Sequence, residues 1–175
     1  MLNKVFLIVR IMRLDRAFRL GVSFSTHSFT DFFKGFEKVE AVRRIFGGKT
    51  EEVLRNLRVE FIPLAGYMGV NGSNGHLIVN PKYLKNGDRL DVYLDVIHEL
   101  VHIRQHIEGR ELFDINYSYI ERPTEVEAYR FAVEEARRLG QSDERICAYL
   151  KTPWMSIEDL IQLARALSVK CKSSS

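Results

Sequence analysis

The chain has 175 residues, 46% hydrophobic and 28% charged, with a formal net charge of +3. That length holds one domain with a sizeable core, and the composition excludes a disordered or low-complexity chain. The small charge argues against a nucleic-acid partner, and no apolar stretch is long enough to span a membrane.

Residues 1–20 alternate between apolar and basic and suit either a helix or a first strand. Arg10, Arg13, Arg16 and Arg19 recur at helical spacing there and read as a solvated helix face rather than a polyanion site. The run Val5-Phe6-Leu7-Ile8-Val9 is cut off by Arg10 and Arg13, which leaves it too short for a secretion signal, so a cytoplasmic protein is expected. Asp31 to Phe46 predicts a helix with an apolar stripe of Phe32, Phe33, Phe36, Val39, Val42 and Phe46, closed by Gly47-Gly48. Thr50 is placed to cap a short helix opening Thr50-Glu51-Glu52-Val53.

The pattern then turns to β. Arg58 to Ile62 alternates, with Val59 and Phe61 on one face and Pro63 at its end. Gly66 to Val70 reads as a second strand and His76 to Asn80 as a third, joined by the turn cluster Asn71-Gly72-Ser73-Asn74-Gly75. That cluster lacks the Lys-Ser/Thr ending of a phosphate loop and does not open a helix.

Asn86-Gly87-Asp88 forms a turn before a long helix from Arg89 to about Ile107. Its apolar residues nearly surround the axis, which predicts a helix buried at the centre of the domain, with Gly109 as its stop. Residues 110–122 read as irregular. Pro123 starts a second long helix ending at Leu139-Gly140. Ser142 and Ser156 cap two further helices separated by Pro153-Trp154, with Asp159 completing a capping box. A single domain over 1–170 and a disordered tail at 171–175 follow. Cys147 and Cys171 form no disulfide framework and are read as reduced.

The chemistry is concentrated at His98-Glu99-Leu100-Val101-His102. Two histidines one turn apart share a helix face and can ligate one Zn2+, with Glu99 placed to act on a zinc-activated water. A catalytic zinc needs a third protein ligand. His106 would lie about 12 Å from His98 along a straight helix, too far to share the ion. Glu108 would need a sharp turn before it, where this chain has Gln105 in place of glycine. Glu125 is favoured: it leads a face otherwise made of Ala128, Tyr129, Ala132, Ala136 and Leu139, and a carboxylate there needs a partner. Its alternative role is a first-turn acid complementing the helix dipole. Glu127 falls on another face and reads as solvated.

The HExxH pentapeptide, followed by Glu125 in a Glu-x-x-Ala-x-x-Phe-Ala context, resembles the gluzincin metallopeptidases over roughly residues 76–140. The resemblance implies an α+β, zincin-like fold. A small mixed sheet would pack on the central HExxH helix, with additional N- and C-terminal helices. It implies one Zn2+ held by His98, His102 and Glu125, Glu99 as general base, and a peptide or protein substrate. His76 to Asn80 would be the edge strand that binds extended peptide. Many gluzincins carry an acid four residues after the ligand glutamate to orient a zinc-bound histidine; here Tyr129 stands at that position. His76, Tyr117, Tyr119 and Tyr129 are the candidate oxyanion donors. Rival readings are a zinc-bound inactive binding module, a regulatory protease that cleaves one cytoplasmic partner, and a helical protein without metal. The helices after Gly140 either support the fold or cover the cleft.

Overall fold

Four short strands form one mixed sheet in the computed structural model, which describes residues 26–63 and 66–171. The reading of 1–20 and its arginine row therefore lies outside the described residues. The strands are β1 (His27–Ser28), β2 (Arg58–Phe61), β3 (Met68–Val70) and β4 (Leu77–Val79), in the order β1-β2-β4-β3. β2 and β4 run parallel, with Val59 opposite Leu77; β1 and β3 run antiparallel to their neighbours. The turn at Asn71–Gly75 folds β3 back beside β4. The expectation of an edge strand at His76–Asn80 is thereby corrected: β4 is paired on both sides, and β1 and β3 are the edges among the described residues. Gly75 has φ +72, and a Cβ there would sit 2.6 Å from the ring of His106, so this turn needs glycine on two counts.

The long N-terminal helix expected over Asp31–Phe46 is also corrected. It is three pieces: α1 (Phe29–Phe32), a 3-10 turn (Phe36–Lys38) and α2 (Glu40–Phe46). Gly35, at φ 88, breaks the run. Phe33, Phe36 and Val42 are buried all the same, because a 3-10 turn repeats its side chains at nearly the helical spacing. In α3 (Thr50–Asn56) the Thr50 hydroxyl donates to the Gly47 carbonyl at 2.7 Å instead of capping the helix. A helix absent from the sequence reading, α4 (Pro81–Asn86), starts where Asn80 accepts from the backbone of Lys82 and Tyr83.

α5 (Arg89–Ile107) is capped by Asp88, whose carboxylate accepts from the amides of Leu90 and Asp91. Val96, Ile97, Leu100 and Val101 on it are fully buried. It packs against α2, β3 and, most extensively, α6 (Pro123–Arg138), as its all-round apolar pattern requires. α7 (Asp143–Leu150) and α8 (Ile157–Ala166) begin at Ser142 and Ser156, and the second carries the capping box with Asp159. The architecture is α+β: a small four-stranded mixed sheet with helices around one buried helix.

Cys147 and Cys171 form a disulfide, which corrects the reading of two reduced thiols. It tethers the chain end to α7, and the Lys170 amide donates to Asp143, so order extends to Cys171 where a tail was expected. Disulfides persist in oxidising compartments, so the cysteines no longer argue for a cytoplasmic location. Among the described residues no helix is long and apolar enough to cross a membrane. The bridge closes a sequence separation of 24 residues, which by loop-closure entropy stabilises the fold by about 3 kcal/mol. Cys147→Ser is expected to lower the urea-unfolding free energy by about that amount, and reductant to do the same to the native chain. Unchanged stability in both would show that the bridge does not form.

Candidate metal centre

His98 and His102 stand one turn apart on α5 and point at α6, each 6% exposed. Pro123 starts α6 and places Glu125 in its first turn, 7% exposed. Glu125 Oε2 lies 3.3 Å from His98 Nε2 and 3.4 Å from His102 Nε2, and the two Nε2 atoms are 3.0 Å apart. A tetrahedral zinc with ligands at about 2.0–2.1 Å holds its ligand atoms about 3.3 Å from one another. The three atoms therefore already have the spacing of one face of such a coordination shell. Glu125 Oε2 is buried and has no hydrogen-bond partner among the described residues. An orphaned carboxylate oxygen beside two imidazole nitrogens is a donor set suited to a divalent cation. Among the described residues, this is the one group of three or more such side chains close enough to hold an ion.

The ligand set is braced by residues the sequence reading passed over. His102 Nδ1 is 2.7 Å from Gln105 Oε1. The Gln105 amide nitrogen donates to the Thr124 carbonyl at 3.0 Å and to Glu127 at 2.9 Å, so its oxygen must face His102. Nδ1 of His102 then carries a proton, which leaves Nε2 as the ring atom that can turn to an ion once its own proton is lost. Glu127, expected to be solvated, also pairs with Arg104 and Arg110 and locks the first turn of α6 to the last turns of α5. Only the three-residue spacing of His102 and Gln105 hinted at this in the sequence. His98 is positioned by packing instead. The Tyr129 ring meets its edge at 4.4 Å between centroids, and His98 Nδ1 has no hydrogen-bond partner among the described residues.

The electrostatics follow from burial. Burial opposes ionisation of Glu125, but the imidazoles of His102 and then His98 outweigh it and hold the carboxyl well below the usual carboxylate range. Burial also works against a charge on His102, yet Glu125 and then Glu99 drive it up to about 9. Burial lowers His98. Glu99 is not among the converging atoms. Burial raises it to about 8, a value suited to accepting and returning a proton near neutrality.

His98 and Glu99 open onto a cleft of about 450 Å³. Its lining includes Met68 on β3, Tyr119 and Tyr129, and residues of α7 and the segment after it. The tyrosine hydroxyls of 119 and 129 are 2.9 Å apart. The other two candidate donors lie elsewhere: His76 pairs with Glu60 at 2.6 Å, and Tyr117 is exposed in the loop before α6. His106 and Glu108 are not part of the cluster. No protein-family model, curated protein or solved structure matches the chain.

Protein purified without chelator is expected to carry about one zinc per chain, and His98→Ala or Glu125→Ala to lose it; wild-type protein that takes up none from a zinc buffer rejects the site. Gln105→Leu should weaken zinc binding by about 10- to 100-fold while the fold persists, read by chelator competition and circular dichroism. Zinc must displace the His102 proton, which is held until pH reaches about 9. Apparent affinity should therefore fall about tenfold for each pH unit below that value, and an affinity flat across neutral pH would contradict the assignment.

Proposed function

We propose that the protein is a zinc-dependent metallopeptidase of gluzincin type, with a zincin-like arrangement of sheet and helix. The observation that carries this reading is the convergence of His98, His102 and Glu125, with His98 and the neighbouring Glu99 lining a cleft. The antiparallel edge strand β3, which packs against α5 and lines that cleft, supports it further. Unpaired N–H and C=O groups on such an edge can pair with an extended peptide, and β3 takes the role first expected of residues 76–80.

His98, His102 and Glu125 would hold the ion. When bound, zinc lowers the pKa of a coordinated water to about 7 and polarises the scissile carbonyl. Glu99 accepts a proton from the attacking water as its oxygen bonds to the carbonyl carbon. The carboxylic acid so formed gives that proton to the nitrogen as the C–N bond breaks. Burial keeps both Tyr119 and Tyr129 phenols protonated, and their hydroxyls line the cleft next to His98. This pair is the donor assigned to the developing oxyanion. The unpartnered Nδ1 of His98 favours a second reading, a zinc-holding module that binds peptide without cleaving it, since the histidine lacks the acid that orients it in many gluzincins. A protease acting on a single partner protein would share the same site.

Glu99→Gln is expected to retain zinc and to lose peptide hydrolysis by roughly 10²- to 10⁴-fold, measured on casein and on a mixed peptide library. A Glu99→Gln protein as active as wild type rejects the general-base role. A zinc-loaded wild type that binds peptides but cleaves none favours the binding module.

A further inference from the structure

The cleft continues past Glu99 to a wall that the peptidase mechanism does not use. That wall comes from α7 and the segment after it, and includes Tyr149, Thr152 and Trp154. Tyr149 is 8% exposed and Thr152 7%; the Tyr149 phenol is turned to the Asp95 carboxylate, whereas the buried Thr152 hydroxyl has no hydrogen-bond partner among the described residues. A hydroxyl buried without a partner is costly, so the Thr152 hydroxyl on this cleft points to a polar ligand.

Asp95 stands one helical turn before Glu99 on the same cleft. Its Oδ2 accepts from the Tyr83 hydroxyl at 2.5 Å. No cation among the described residues lies within ion-pair range of it, although it is largely shielded from solvent. Asp91, its neighbour in the cleft, is already paired with Arg145 at 2.5 Å. Lys151 sits on the exposed lip. On the same cleft, Tyr67 packs at a tilt against Tyr83 and Trp154, with centroids at 4.4 and 5.7 Å. Tyr67 and Trp154 remain 36% and 58% exposed, so aromatic surface is left for a ligand to cover.

We infer that this part of the cleft is a subsite for a cationic side chain, arginine or lysine, of a peptide substrate. The assignment rests on the peptidase reading of the adjacent centre. Asp95 supplies the counter-charge, the Tyr149 and Thr152 hydroxyls accept N–H donors, and the aromatic wall receives the cation over its rings. An anionic ligand would meet Asp95 and Glu99 together. An aliphatic one would leave the Asp95 charge without a counter-ion and the Thr152 hydroxyl without a partner.

The test uses the zinc-loaded full chain and blocked single-residue probes. These are the N-acetyl methylamides of arginine, lysine, citrulline and norleucine, with binding followed by NMR. Arginine or lysine is expected to bind about tenfold or more tightly than citrulline or norleucine. Asp95→Asn should bring that ratio near unity with zinc content kept at one per chain. Thr152→Val and Tyr149→Phe should each reduce it by about three- to tenfold, and they carry the test if the aspartate variant fails to fold. Equal binding of norleucine, or a preference that survives Asp95→Asn, overturns the subsite. Because binding is read without turnover, the two readings fail separately. A preference without hydrolysis of any peptide removes the peptidase reading alone, and hydrolysis without the preference removes the subsite alone.

Discussion

Two imidazoles and a carboxylate are buried where α5 meets α6, and the local structure depends on that contact. The histidines come from one rigid helix, so their spacing is set by helical geometry alone. Glu125 arrives from another element, so the third atom is only as well placed as the register between the helices. Gln105 and Glu127 fix that register: one side chain reaches the Thr124 carbonyl, and the other gathers Arg104 and Arg110. A carboxylate taken out of water without compensation costs several kcal/mol. Without an ion, a proton on His102 offsets the Glu125 charge. The group can therefore stay buried without an ion.

How much of this was legible in the sequence depends on whether the signal was local. The long helix Arg89–Ile107 was readable because its turn, cap and stop are contiguous, and so were the Pro123 start and the Ser156–Asp159 box. Glu125 was readable because an acid leading an apolar face conflicts with burial unless it finds a partner. Gln105 was not, since its partners lie on another helix and a glutamine beside a metal motif has many ordinary uses. The phenylalanine stripe at 32–46 misled because helices and 3-10 turns bury nearly the same positions; only Gly35 marked the break. The helix at Pro81–Asn86 had a signal that was missed, an asparagine cap followed by proline at the first helical position. Sheet order and the Cys147–Cys171 pair are non-local and left no trace in spacing.

The sheet order matters more than its size suggests. With β4 paired on both sides, its hydrogen-bonding groups are used, and of the two edge strands among the described residues, β1 and β3, it is β3 that lines the cleft. The strand nearest the histidines in sequence is thus a spacer, and the preceding hairpin arm faces the cleft. The opposite bank is formed by residues after Gly140, which are therefore part of the site's walls as well as support for the fold. The disulfide begins at Cys147, next to Ala148 of that wall, and ties it to the chain end.

Asp95 and Glu99 show how two acids one turn apart on α5 come to differ. Both face the same cleft, and burial raises both, Asp95 to about 6 and Glu99 to about 8. Asp95 is held by the Tyr83 phenol and then by that of Tyr149, and both favour its charged form. Glu99 has no hydrogen-bonding side chain assigned to it among the described residues; its largest opposing influence is the charge on His102. A tethered carboxylate that stays ionised at neutral pH suits a fixed counter-charge. An untethered one whose proton is exchangeable near neutrality suits proton transfer. The difference between the two carboxylates thus follows from phenols on α4 and α7 that reach Asp95.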